Sequence, residues 1–302
     1  MNTGMPRKTR AIPPPVAVIT VNWNTHDDTA RLLQSLREQH PPPIVFVVDN
    51  GSTDGSYEQL QASFPEVRYL QMGRNRGFGA ANNAALRVLQ AEAIPFAWLI
   101  NNDTIPEPGA LGVLVDHMLE RPAAGAAGCI VLEADGPGRR IQAWGGGHII
   151  PWLGTAKLNQ SEAEPLEFIT GASLFLRTKA LEDVGVFDEH FFLYWEDADL
   201  CFRLREAGWK LTVAEAVVRH KGSATTGRFP RMRAYHNARS FSLLMHKHAR
   251  RPRLCGFTAA VAQSFGKLLR GNLPAAAGRW QGWRAGCDAV RSSDGIVPDG
   301  PP

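Results

Sequence analysis

The chain has 302 residues, room for one large or two ordinary domains, with 44% apolar side chains, 21% charged ones and a formal charge of +4. This composition excludes a wholly disordered chain. No apolar run reaches the 18 or so residues that span a bilayer, and Met1 to Pro15 lacks a signal-peptide core, so the expected location is the cytoplasm.

The charge is unevenly distributed. Residues 1–218 carry 18 basic and 26 acidic side chains, whereas residues 219–291 carry 15 basic ones against a single acid, Asp288. A block of net +14 suits a polyanion such as nucleic acid, anionic lipid headgroups or a phosphorylated substrate, although a solvated basic face accounts for it equally well. Cys129, Cys201, Cys255 and Cys287 are too widely spaced for CxxC chemistry and read as reduced thiols.

Residues 1–15, with the Pro13-Pro14-Pro15 run, read as a disordered lead-in. From Val16, short apolar runs alternate with helical patterns. Val16–Val21 is followed by a helix near Asp28–Gln39, Ile44–Val48 by one near Asp54–Ser63, Val67–Leu70 by one across Gly79–Ala91, and Phe96–Ile100 by one across Glu107–Glu120. Fully apolar strands in strict alternation with helices predict an α/β fold with a mostly parallel sheet covered on both faces. Beyond Gly125 the rhythm changes. Glycine-rich chain leads to an apolar segment at Phe168–Leu176, a helix entering at Tyr194–Trp195, and a strand pair, Leu211–Val213 and Val217–His220. Helices are expected near Arg233–Ala249, Cys255–Arg270 and Pro274–Val290, followed by a frayed tail over residues 292–302. The expected domains are a catalytic unit over 16–230 and a basic helical extension over 231–291.

In parallel sheets, ligands bind beyond the carboxyl ends of the strands. There stand Asn22 and Asn24, Asp49 to Ser56, and Asn101 to Thr104. Turn and cap preferences explain each of these turns singly, but three on one sheet edge would line a shared polar crevice. Asp103, after a buried strand, suits Mg²⁺ or Mn²⁺, which prefer oxygen ligands. The Arg74-Asn75-Arg76-Gly77 stretch opens a helix with charge and backbone N–H groups suited to a phosphate, and a tight turn is its plainer reading. The acidic and aromatic run Phe187 to Cys201 holds five carboxylates. Helical angles put Asp197 on the apolar face and turn Glu196, Asp199 and Glu206 elsewhere, with Asp199 in reach of Arg203 at i+4. His220, at a strand end, could join Asp103 in a mixed metal site.

Taken together, Val18–Asn24, Val47–Ser56, Asn75–Asn83, Leu99–Thr104, Thr170–Arg177, Gly185–Arg205 and Val217–Ser223 resemble glycosyltransferase family 2 and its rhamnosyltransferase-like branch. The resemblance spans roughly residues 15–225. It implies the GT-A fold, a nucleotide-sugar donor, Mg²⁺ or Mn²⁺, and transfer with inversion. It further implies that Asp49 holds the donor's base and that Asn22, Asn24, Arg74, Asn75, Gly77, Asn82 and Asn102 line the donor site. Asp103 and His220 would bind metal, Asp197 would be the general base, and Trp195 and Glu196 would meet the acceptor. Asn101 stands where the family's Asp-x-Asp-like motif would begin with Asp.

The function so implied is transfer of a sugar, foremost L-rhamnose from dTDP-rhamnose, to a surface-glycan or lipid-linked hydroxyl. A galactofuranosyl or other hexosyl transferase is the enzyme alternative. A basic nucleic-acid-binding protein is the rival from another class, but it leaves the acidic run unexplained, so no nucleic acid is expected. The basic helices suit peripheral attachment to the anionic inner face of the cytoplasmic membrane, and packing on the body or in a homodimer is the competing account.

Overall fold

The computed structural model describes residues 13–134, 140–222 and 230–291. Most of the expected lead-in, the expected tail and Ser223 lie outside the described residues.

The first half follows the alternation read from the sequence. β1 (Val16–Asn22), α1 (His26–Leu36), β2 (Ile44–Asp49), α2 (Ser56–Ser63), β3 (Arg68–Gln71), α3 (Phe78–Ala91) and β4 (Phe96–Ile100) succeed one another. The four strands lie in the order β3-β2-β1-β4, all parallel. β1, β2 and β4 are apolar on both faces because each face meets a separate core, whereas the edge strand β3 is exposed at Arg68 and Gln71. Val16, Val18, Phe96 and Trp98 pack with Leu32, Leu33, Leu111 and Leu114, whereas Ala17, Ile19, Ala97 and Leu99 pack with Ala85, Leu86 and Leu89. A short strand, β5 (Thr104–Pro106), precedes α4 (Ala110–Glu120). The helix starts later than its apolar pattern suggests because Pro106, Pro108 and a left-handed Gly109 intervene.

The second half is β6 (Ala124–Glu133), β7 (Ile141–Trp144), β8 (Gly146–Ile150), β9 (Thr155–Leu158), β10 (Phe168–Ile169), β11 (Ser173–Arg177), α5 (Thr178–Val184), α6 (Glu196–Glu206) and β12 (Lys210–His220). The sheet continues β4-β11-β6-β12-β5, with β11 antiparallel to both its neighbours and β12 parallel to β6. The whole is therefore a mixed sheet whose first four strands keep the parallel register. β8, β9 and β10 form a separate antiparallel sheet. Two expectations need correction. The strand pair over 211–220 is one strand with a register shift between Val213 and Val217, and α6 begins at Glu196, after two left-handed residues, Tyr194 and Trp195.

Three helices close the chain: α7 (Pro230–His248), α8 (Pro252–Leu268) and α9 (Leu273–Arg291). Helix α7 belongs to the body, since Phe241, Leu244 and Met245 share a core with Leu200 and Leu204 of α6. Helix α9 lies against α7 so closely that a Cβ at Gly282 would fall 2.1 Å from the Tyr235 carbonyl oxygen. A charge cluster joins α6 to α7. Asp199 accepts from Arg203 Nε at 2.9 Å, as its i+4 spacing predicts, but also meets Lys247 Nζ at 2.7 Å and His248 Nε2 at 2.9 Å. Asp199 is thus wholly buried rather than turned away, because α7 covers the α6 face that helical angles alone leave open. Burial alone would raise its carboxyl, yet His248, Arg203 and Lys247 hold it below the usual carboxylate range. Asp199→Ala removes the buried anion that Arg203, Lys247 and His248 share, and loss of one partner from a buried charge cluster typically costs about 3 kcal/mol. Urea denaturation at neutral pH should report a loss of that size.

Candidate active site

A cavity of about 370 Å³ opens at the carboxyl ends of β1 and β4. Trp23, Thr25, Asn101, Asn102 and Asp103 come from the turns after those strands. Asn75, Gly77 and Phe78 line it at the start of α3, Thr170 to Ala172 precede β11, Phe192 to Asp197 lead into α6, and Met232 comes from α7.

The walls are built by side chains that satisfy loop backbone. Asn22 donates to Asp49 Oδ1 at 3.1 Å and Ser56 Oγ at 2.8 Å and accepts from Thr29 Oγ1 at 2.8 Å, which locks the β1 and β2 turns together. Asn24, left-handed, accepts from the Thr53 N–H at 2.8 Å. Asn50 bridges to Asn75 at 3.0 Å, and Asn75 Oδ1 also accepts from the Gly77 N–H at 3.0 Å. Gly77, at φ 89°, could not carry a side chain: its Cβ would lie 2.2 Å from the Phe192 carbonyl oxygen. That same oxygen accepts from the Phe78 N–H at 3.0 Å, which seats the acidic segment on the start of α3.

Of the residues singled out from sequence, Asn75, Gly77, Asn102, Asp103, Trp195, Glu196, Asp197 and His220 line this cavity. Arg74 is exposed beside Asn75. Asn22, Asn24, Asp49 and Asn82 fall outside the lining residues. Asp49 is 2% exposed and accepts from Asn22 Nδ2 with one oxygen and from the Ser52 N–H with the other, so both oxygens help to hold the turn. Asn82 is buried inside α3 and donates back to the Phe78 carbonyl at 2.9 Å, because an Asn one turn into a helix finds the i−4 carbonyl first.

Asp103 Oδ1 and His220 Nε2 stand 3.2 Å apart, brought together by the pairing of β5 with β12. His220 Nδ1 lies 2.6 Å from Gln142 Oε1, an acceptor, so Nδ1 carries the proton. Nε2 then faces a carboxylate with its lone pair unless a proton or a cation lies between them. The spacing is close to the roughly 3 Å between adjacent ligands of an octahedral ion bound at about 2.1 Å. The pair therefore fits a divalent cation completed by waters and phosphate oxygens, with Gln142 as the group that orients the imidazole. Among the described residues no cluster of three or more His, Cys, Asp or Glu side chains is placed to hold a metal.

Asp197 is half-buried at the cavity wall, its Oδ2 accepting from the Gly171 N–H and its Oδ1 from the Ala198 N–H, both at 2.8 Å. Glu196 beside it is 5% exposed, and its Oε2 has no partner. Burial pushes the Glu196 carboxyl well above the usual range and Asp197 adds to the effect. Burial raises Asp197 too, while the N–H groups of Gly171 and Ala198 work against it. The two N–H groups thus favour the ionised form at Asp197, whereas Glu196 Oε2 has no donor to do the same. Sequence reasoning assigned no role to Gly171, although it lies within the Thr170–Arg177 stretch, or to Gln142: only the folded chain brings them to Asp197 and His220.

Residues 17–185 match the sequence description of glycosyl transferase family 2. The chain is 33% identical to an N-acetylglucosaminyl-diphospho-decaprenol L-rhamnosyltransferase of Mycobacterium tuberculosis, over 77% of this chain and 84% of the relative. It is 29% identical to a pre-mycofactocin glycosyltransferase of the same organism, over 65% of this chain and 40% of that one. Among solved structures, GalNAc-T7 with UDP, GalNAc and Mn²⁺ superposes with a TM-score of 0.64 at 12% identity, over 95% of this chain and 59% of that one. A mannosyltransferase of Pyrobaculum calidifontis in complex with GDP-Man and Mn²⁺ gives a TM-score of 0.55 at 19% identity, covering 94% and 89%. The fold is that of nucleotide-sugar transferases, GT-A. The chain belongs to glycosyltransferase family 2 and is a glycosyltransferase.

The unpartnered Glu196 makes a pH prediction. The folded chain holds its proton above the ordinary value of 4.5, so below that pH the group affects stability little, and above it the unfolded chain ionises first and stability falls. Glu196→Gln removes this decline. Thermal unfolding should show the variant gaining on the parent as pH rises from about 4.5.

Proposed function

We propose that the chain transfers L-rhamnose from dTDP-rhamnose, with inversion, to a hydroxyl of a lipid-linked glycan acceptor. The observation that carries the reaction is Asp197, a carboxyl held by the Gly171 and Ala198 N–H groups on the wall of a cavity that also holds Glu196, Asp103 and His220. The sugar and the acceptor class rest on the likeness to the mycobacterial L-rhamnosyltransferase, whose name specifies a diphospho-decaprenol acceptor.

In this reading Asp197 accepts the proton of the acceptor hydroxyl as its oxygen attacks the anomeric carbon from the face opposite the nucleotide. The bond from that carbon to phosphate oxygen breaks, and the nucleoside diphosphate leaves with the electron pair. The N–H groups of Gly171 and Ala198 fix the base in place. Glu196 offers its unpartnered oxygen to an acceptor hydroxyl, and Trp195 supplies an apolar face beside it. Asp103 and His220 would hold Mg²⁺ or Mn²⁺, which supplies charge neutralisation for the departing diphosphate. Asn75, Gly77 and Asn102 line the donor side, Arg74 and Arg76 bring positive charge to it, and Asn22, Asn24, Asp49 and Asn82 keep its loops in shape. The site acts from the cytoplasmic side of a membrane. Among the described residues no helix is long and apolar enough to cross one.

Release of nucleotide from a panel of nucleotide sugars, with and without Mn²⁺, tests the donor. Turnover confined to another sugar sinks the rhamnose assignment. Asp197→Asn should lower turnover by ~10²–10⁴-fold at saturating substrates with donor affinity little changed; near-normal turnover would transfer the role to Glu196. Asp103→Ala should weaken binding of the nucleotide sugar more than of the free nucleoside, measured by calorimetry with Mn²⁺, since a cation at Asp103 and His220 faces phosphate and not the base. Full turnover in excess chelator would remove the metal from the scheme.

A further inference from the structure

Helix α8 buries one face and leaves the other largely exposed, with Phe257 at its edge against Trp280 and Trp283 of α9. Gly256, Ala259 and Ala260 turn inward. Opposite them, Leu254, Phe257, Val261, Phe265 and Leu268 are 45–60% exposed. At 100° per residue these five fall within an arc of about 80°. The inward face also holds the turn between β8 and β9: Gln263 donates to the Leu153 carbonyl at 2.6 Å and to that of Gly154, and Gly154 sits against Ala259. Helix α8 thus presents five large apolar side chains on its outer face, more than scattered surface hydrophobics would.

The charge on α8 itself and on the turns that flank it has one sign. Arg250, Arg251, Arg253 and Arg270 stand exposed at the two ends of α8, and no acidic residue occurs between Glu215 and Asp288. The patch also leads to the catalytic cavity. At its far end Leu269 and Leu273 are 72% and 66% exposed. Next to Leu273, a groove of about 530 Å³ runs between the first turns of α7 and α9, lined by Met232, Tyr235, Asn272 and Pro274 among others. Met232 lines both this groove and the catalytic cavity.

We propose that the exposed face of α8 docks on an anionic lipid bilayer, and that the groove past Met232 brings the membrane-borne acceptor to the cavity. The apolar side chains enter the acyl boundary while the arginines meet headgroup phosphates. The groove rests on the lipid-linked acceptor of the proposed function; the docking surface does not.

The test is flotation of the full chain with vesicles of phosphatidylcholine alone or with added phosphatidylglycerol, at low and high salt. Binding should require the anionic lipid and weaken with salt. Phe265→Ser combined with Leu269→Ser should lower vesicle binding by about tenfold, and Arg251→Gln combined with Arg253→Gln should lower it on anionic vesicles by a similar factor. Unchanged thermal unfolding would confirm that both variants fold, and the lipid and salt dependence of the parent chain stands apart from either. Equal binding to neutral and anionic vesicles, or none to either, overturns the proposal; a dimer in solution that the Phe265 and Leu269 changes dissociate would give the face to a second copy. Transfer to a water-soluble acceptor, measured on the same variants, should be unaffected. Its absence in the parent chain, with vesicle binding intact, would condemn the acceptor reading while the docking surface stands.

Discussion

The segment from Phe187 to Trp195 buries its aromatics without secondary structure of its own, and the site depends on how its peptide groups are satisfied. Phe187, Phe191, Phe192 and Trp195 are all at most 8% exposed, so these aromatics fill the core while their backbone gives up water. The missing hydrogen bonds come from two helices. Asn83 of α3 both donates to and accepts from the Phe187 peptide, at 2.9 and 3.0 Å, and the Phe78 N–H meets the Phe192 carbonyl. From the other side α7 supplies Arg239 to the His190 carbonyl at 2.7 Å and Ser240 to that of Leu193 at 2.9 Å. Trp195 is wedged by Phe241, with ring centroids 5.2 Å apart. Only with both clamps in place do Glu196 and Asp197 arrive at the wall of the cavity, which makes α7 part of the catalytic machinery's support.

Three carboxylates in the first turn of α6 reach three different states because each meets a different neighbour. Asp199 faces cations and stays ionised. Glu196 faces apolar surroundings and another acid, and is driven towards its neutral form. Asp197, held by two backbone N–H groups, lies between these limits. A helix N-terminus favours negative charge in general, but that influence is common to all three, so burial and hydrogen bonding decide the difference.

The first half of the fold was legible because its signal is local. A strand apolar at every position, followed by a helix of 3.6-residue period, identifies itself, and Phe96–Ile100 was delimited to the residue. The antiparallel β11 was not, since an apolar run carries no mark of its direction or neighbours. Within the site, Asp103, Asp197 and His220 were legible as chemistry-bearing residues at element ends, and they do meet one cavity. Their supports were not: Gly171 acts through its backbone N–H, Gln142 lies 78 residues from His220, and the burial of Asp199 comes from Lys247 and His248 on a helix read as a separate extension. Asn82 and Asp49 show the converse, polar residues in promising stretches that the folded chain uses to hold itself together.

The position of β11 has a bearing on how the chain emerges from a ribosome. β4 and β6 are separated by a strand that follows both of them in sequence, so neither can reach its final pairing until residue 177 has been made. Until then the four parallel strands form a half-sheet ending in the bare edge of β4, whose residues Phe96 to Ile100 are all apolar. Such an edge is an open template for another chain. The last strand to slot in beside β4 therefore closes a liability as well as a fold, and slow translation of the stretch between β4 and β11 would prolong the interval in which nascent chains can stick to one another.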